Sequence, residues 1–192
     1  MTEEKINELD ECLKAHICKL SRASKDDQNN AKMCESDLKV VWFDKIPAEY
    51  GKRTGCPKLP KSNDALYVTN SDEWYFIEFK NGGIEKSDIF RKIYDSIIML
   101  LELKIIPDFQ FVRENVNYIL VYNSENYTKP QYSEALKENY AYIQQRAKTE
   151  KKLFEVEKLE TYLLKKTHTY DKETFKQKFI IPMERQESVA VY

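Results

Sequence analysis

Little in this chain interrupts regular structure. Only four glycines and six prolines occur among 192 residues, which excludes a collagen-like or loop-rich design. An excess of one charge sign is also missing: 31 basic residues face 32 acidic ones, for a net charge of −1. A protein that coats long nucleic acid non-specifically carries a strong basic surplus, so any such contact here is expected from a local patch. No run of eighteen apolar residues exists. The greasiest stretch, Ile97 to Ile106, is interrupted by Glu102 and Lys104, so no membrane span is expected. The opening residues, Met1 to Lys14, have no apolar core behind a basic segment, and a secretion signal is not expected. A cytoplasmic location is the resulting expectation. The four cysteines, Cys12, Cys18, Cys34 and Cys56, are spaced too widely for paired zinc ligands and read as free thiols. With only His16 and His168 available, no Ser/His/Asp set is visible.

What is there points to a folding sequence. Hydrophobic residues make up 42% and aromatics 12%, including thirteen tyrosines, enough for a buried core in one domain. The expected division is a single domain over 1–192, with a core of about 1–123, an extension of about 124–182 and a tail of 183–192. Ile6, Leu9, Leu13, Ile17 and Leu20 fall in one arc at helical spacing, which predicts an amphipathic first helix capped by Thr2. Ser21 to Asn30 is polar and reads as a loop. Leu38 to Phe43 is short, β-branched and aromatic, which predicts a strand. Ile46 to Pro60, with three prolines and two glycines, reads as an ordered loop or tether.

Asp64 to Thr69 and Trp74 to Lys80 read as two strands of a hairpin turning at Asn70-Ser71-Asp72. Asn81-Gly82-Gly83 breaks the second. From about Lys86 to Lys104 a broadly apolar helix is predicted, with Ile89, Ile93, Ile97, Leu100 and Leu101 on one side and Phe90, Tyr94 and Ile98 beside them. Pro107 closes it. Asn117 to Tyr122 is then a strand parallel to Trp74–Lys80, because a long helix joins the two. Further on, the pattern predicts a tyrosine-rich helix through Leu136, Tyr140, Ile143 and Ala147. Strands near Leu153 to Val156 and Thr161 to Thr169 follow, then a helix capped by Asp171 that packs Phe175 and Phe179. Tyr140, Tyr142 and Lys148 to Lys152 read as a solvated face, with base stacking as the alternative.

The chemistry concentrates on one strand. Side chains alternate along a strand, so Glu78 and Lys80 share a face that is otherwise apolar. Such a break in local consistency is where function is expected. Two carboxylates, Asp64 and Glu78, are hard oxygen ligands suited to Mg2+, and an adjacent lysine can stabilise developing negative charge. Lys52, Arg53, Lys58 and Lys61 form a basic cluster just ahead of Asp64, the expected place for phosphate contacts.

Asn63-Asp64, thirteen residues, then Glu78-Phe79-Lys80 resembles the bipartite motif of the PD-(D/E)XK nuclease superfamily, with Asn63 where the motif has proline. The expected order of helix, three strands, helix and strand is similar to that superfamily's restriction-endonuclease-like α/β core: a mixed sheet flanked by helices, here with a C-terminal α/β extension. The resemblance covers about residues 1–123. It implies cleavage of DNA or RNA with Mg2+ or Mn2+, Asp64 and Glu78 as metal ligands, and Lys80 assisting a water. Many members carry a further acid on the first helix, for which Asp10 and Glu3 are placed best, Glu8 and Glu11 facing solvent. They also often carry a helper on the second helix, for which Lys92, then Lys86, is the candidate. The alternative is a nuclease-fold module that binds nucleic acid or a protein partner without cutting, as an immunity or regulatory protein would. A third is an α/β protein in which Glu78 and Lys80 form a plain ion pair.

Overall fold

The structure, a computed structural model, describes residues 1–26, 31–82, 85–124 and 153–189. The element order begins with α1 (Glu3–Glu8), α2 (Glu11–Lys14), β1 (Ile17–Lys19), α3 (Leu20–Ala23), β2 (Lys25–Asp26), β3 (Ala31–Lys32), β4 (Lys39–Trp42) and α4 (Ile46–Thr54). It continues with β5 (Ala65–Val68), β6 (Trp74–Lys80), α5 (Lys86–Glu102), α6 (Phe109–Asn115) and β7 (Val116–Tyr122). The last elements are β8 (Lys166–Asp171), α7 (Lys172–Phe175) and α8 (Ile181–Val189). Six strands form one mixed sheet in the order β1-β4-β5-β6-β7-β8, while β2 and β3 pair separately. The fold is α/β. β1, β4, β5 and β6 run antiparallel to their neighbours, and β6, β7 and β8 are parallel.

Both faces of β6 are covered, and the cover explains its sequence. Trp74, Phe76 and Glu78 lie on the side of α5, whose Ile89, Ile93, Ile97 and Leu100 are buried. Tyr75 and Phe79 meet the C-terminal helical run, where Tyr75 packs on Phe179 at 5.2 Å and Phe79 on Phe175 at 5.8 Å between ring centroids. Each apolar side chain so buried stabilises the fold by about 1.5–3 kcal/mol. Asp171 caps that run by accepting from Thr174 N at 2.7 Å, as its position before the apolar pair predicts.

Several sequence expectations need correction. The first apolar arc is not one helix. Leu9 turns extended, Asp10 starts a new helix, and Ile17–Lys19 joins the sheet edge as β1. Leu9, Leu13 and Leu20 are buried all the same. The expected polar loop after Leu20 holds α3 and β2. Ile46 to Thr54 is helical, with Pro47 in its first turn and Gly55 at φ +72° closing it; only glycine takes that left-handed turn without strain. α5 stops at Glu102, two residues early, and the next residue but one, Lys104, turns to positive φ. Its exposed Tyr94 and Ile98 make the buried face narrower than expected. Leu153–Thr161 is 3-10 helical rather than a strand. The strand expected over Thr161 to Thr169 begins at Lys166 and extends the sheet beside β7, so the expected extension shares the sheet of the expected core. The expected tail forms α8, tied back by Ser36 Oγ to Glu184 at 2.8 Å and Tyr67 OH to Glu187 at 2.8 Å. The predicted helix through Leu136 to Ala147, with Tyr140, Tyr142 and Lys148 to Lys152, lies outside the described residues. Among the described residues, no helix is long and apolar enough to cross a membrane.

Candidate metal centre

The hairpin register explains the thirteen-residue spacing. Ala65 pairs with Ile77, so Asp64, one residue earlier, stands across from Glu78, one residue later. Asp64 is fixed further by its Oδ2, which accepts from Phe79 N at 2.6 Å, and by its carbonyl, which accepts from Phe43 N at 3.0 Å. Asn63, where the motif has proline, is buried and donates through its backbone N and its Nδ2 to Ser96 Oγ of α5, at 3.1 and 3.0 Å. The position thus ties the start of β5 to α5.

α5 supplies the matching cation. Lys92 Nζ lies 2.7 Å from Glu78 Oε1 and 3.3 Å from Asp64 Oδ1. Lys80 Nζ lies 3.0 Å from the same Glu78 oxygen and 3.2 Å from Asp88 Oδ2. Asp88 also binds Lys61. Asp64, Glu78, Lys80 and Lys92 are therefore brought together, with Lys61 at the edge through Asp88.

Glu78 is fully buried and its Oε2 has no hydrogen-bond partner. Burial first, then the charge of Asp64, pushes its carboxyl up to about 8 against the pull of Lys92 and Lys80. Burial also raises Asp64, opposed by Lys92. For Lys92 burial alone would favour the neutral amine, but Glu78 and Asp64 outweigh it and hold the ammonium charged. Lys80 follows the same balance through Glu78 and Asp88.

A carboxylate missed by the sequence reading joins them. The 3-10 turn Phe43–Lys45 carries Asp44 out of β4, and Ser62 Oγ donates to it at 2.9 Å. Asp44 sits on the exposed lip of the centre. Partial withdrawal from water by the surrounding walls, followed by the charge of Asp64, pushes its carboxyl up to about 6. The sequence signal for Asp44 was only its place directly after the predicted strand Leu38 to Phe43, which does not by itself mark a site. Asp44, Asp64, Lys80 and Lys92 line an open cleft of about 410 Å3 together with Lys25, Asp26 and Asn81.

Other expected site residues lie elsewhere. Asp10 caps α2 by accepting from Cys12 N at 2.8 Å and faces Arg53 at 3.8 Å; it does not line the cleft. Glu3 pairs with Lys39 and Lys86 with Glu155. Lys52 is bound to Glu49 at 2.8 Å. Lys58 is in neither the cleft nor the carboxylate cluster. Of the expected basic cluster only Lys61 reaches the centre, and Lys52, Arg53 and Lys58 do not line the cleft.

The donor set fits a hard divalent ion. Two facing carboxylates, one with a buried oxygen lacking any partner, leave the remaining positions to water and phosphate, which is how Mg2+ is commonly held. Lys92 Nζ now takes the place of a cation between them. Among the described residues no group of three or more His, Cys, Asp or Glu side chains is arranged to hold a metal, so the centre is not a complete protein cage. No known protein family, curated protein or solved structure matches the chain.

Proposed function

We propose that the chain is a nuclease of the PD-(D/E)XK, restriction-endonuclease-like type that hydrolyses phosphodiester bonds in DNA or RNA with Mg2+ or Mn2+. The observation that carries this reading is the clustering of Asp64, Glu78 and Lys80, with Asp64 and Lys80 lining an open cleft and Glu78 buried behind them, in contact with Lys80 and Lys92. Asp64 and Glu78 would hold the ion. Bound there, it would supply the positive charge that polarises a phosphate and acidifies a water. Lys80 is held at the cleft by Glu78 and Asp88, with its side chain 18% exposed. It can therefore orient a water or meet charge developing on the phosphate. Lys92 lies between the two carboxylates, 2.7 Å from Glu78 Oε1 and 3.3 Å from Asp64 Oδ1, and opposes the protonation that burial favours. Labelled DNA and RNA incubated with Mg2+ or Mn2+ test the reading. Cleavage by the wild type that drops at least about hundredfold in Glu78→Ala supports it.

One observation favours a second reading. Glu78 Oε1 is already shared by Lys92 and Lys80, a closed ion cluster that suits a nuclease-fold module binding nucleic acid or a protein partner without cutting. Equal background from wild type and Glu78→Ala, in every metal, selects it.

A further inference from the structure

Outside the centre, a set of exposed cations lies around α3 and the β2–β3 ribbon. A groove of about 360 Å3 is lined there by Lys19, Arg22, Lys25 and Lys32. Lys25 also lines the cleft of the carboxylate centre, so the two depressions adjoin. Lys25 and Lys32 are cross-strand partners in the ribbon, so both lysines rise from one place on it. On the other flank Trp42 receives two cations: Arg22 lies 4.7 Å and Lys45 4.2 Å from its ring centroid. Neither Arg22 nor Lys45 has a carboxylate at ion-pair distance among the described residues, and Lys45 acts electrostatically on Asp44 of the centre. Positive charge therefore borders the centre at Lys25 and at Lys45.

We propose that this strip, Arg22, Lys25, Lys32 and Lys45 with Trp42 as its support, is where the sugar–phosphate backbone of a nucleic acid lies; the proposal deepens the nuclease reading and rests on it. The chemistry points to the backbone rather than to bases. Trp42 is engaged by a guanidinium and an ammonium, so its ring holds cations outward rather than offering itself for base stacking. Phosphate contacts of this kind position a strand without reading its sequence. Lys19 and Lys32 are paired with Asp37 at 2.9 Å and Glu35 at 3.2 Å, but these pairs are solvent-exposed. Such pairs contribute little, so a phosphate can take the place of either acid. The near-neutral chain as a whole is no obstacle, because steering depends on the local field at the groove.

The test is fluorescence anisotropy with the full chain and a labelled mixed-sequence oligonucleotide in EDTA, so that binding is read apart from cleavage. In Arg22→Glu/Lys45→Glu, affinity is expected to fall at least about tenfold, and the slope of log affinity against log salt to shallow by about 1.5. Lys52→Glu, on α4, is expected to stay within about twofold of wild type. Should the double reversal fail to fold by circular dichroism, Arg22→Ala/Lys45→Ala is read instead, with the same direction of change. Wild type that does not bind at low salt, or a folded double variant that binds as tightly as wild type, overturns the proposal. So does stronger capture by anionic lipid vesicles or a polyglutamate peptide than by the oligonucleotide. The two readings fail separately. Groove-dependent binding with no cleavage sinks the nuclease alone, and cleavage with groove-independent binding sinks the groove alone.

Discussion

One face of β6 carries two opposite kinds of burial. At its start Trp74 and Phe76 are packed among aromatic rings, with Phe43 5.1 Å from Phe76 and Phe111 5.7 Å from Trp74. Two residues on, Glu78 is just as completely enclosed, and Lys80 follows it. Apolar burial stabilises the fold in proportion to area. Burying charge does the reverse unless it is paired, and even well-paired buried ions are often no better than apolar residues of the same size. The first half of the strand therefore holds the sheet to α5, whereas the second half costs stability, a cost that the proposed role of its charges would explain. Four carboxylates, Asp44, Asp64, Glu78 and Asp88, meet the ammonium groups of Lys61, Lys80 and Lys92, and Lys45 acts on Asp44.

The comparison breaks most visibly at its apolar half. Phe76→Ala is expected to lower unfolding free energy by about 3–5 kcal/mol, measured by urea denaturation; a loss below about 1 kcal/mol would mean that Phe76 does not anchor the sheet.

The charged half is sharpened by pH. The Glu78 carboxyl is raised from its ordinary 4.5 to about 8. Between those values the folded protein holds a proton that the unfolded chain has released, so stability falls as pH rises through that window. Asp44, raised to about 6, adds the same sign over the lower part. In metal-free buffer, wild-type Tm is expected to fall more steeply than that of Glu78→Gln between about pH 5 and pH 8. Parallel curves would show that burial does not hold the proton on Glu78. The smallest effect belongs to Asp10, which lies outside the comparison altogether. Asp10→Ala should cost about 1 kcal/mol through the lost cap and leave cleavage unchanged; a collapse of cleavage would return Asp10 to the centre.

The parts of the molecule most legible in the sequence are its long elements. β6 matched its predicted bounds because an aromatic and β-branched run ends at Asn81-Gly82, and α5 was found to within two residues because its apolar spacing spans four turns. Asp64, Glu78 and Lys80 stood out as charges within those patterns. Among short elements the four-residue β4 and β5 lie within their expected bounds, Leu38 to Phe43 and Asp64 to Thr69, while others failed. Ile6 to Leu20 satisfies a helical arc, yet Asp10 competes for the backbone as a cap and the same leucines reach the core from two helices and a strand edge. Pro47 and Gly55 were read as loop punctuation, although proline in the first turn and glycine past the end also bracket a helix. The Lys52–Lys61 cluster looked free because Glu49, Asp10 and Asp88, its neutralising partners, meet it through helix geometry and tertiary packing. The gathering of Asp44, Arg22 and Lys45 beside the centre depends on which segments the sheet brings together, and no local pattern encodes that.

The claim that the charged end of β6 exists for a cation is tested most directly by titrating Mn2+ into metal-free protein by calorimetry. The account predicts saturable uptake by the wild type and its loss in both Asp64→Asn and Glu78→Gln. Equal uptake by all three proteins, or none by any, would contradict it.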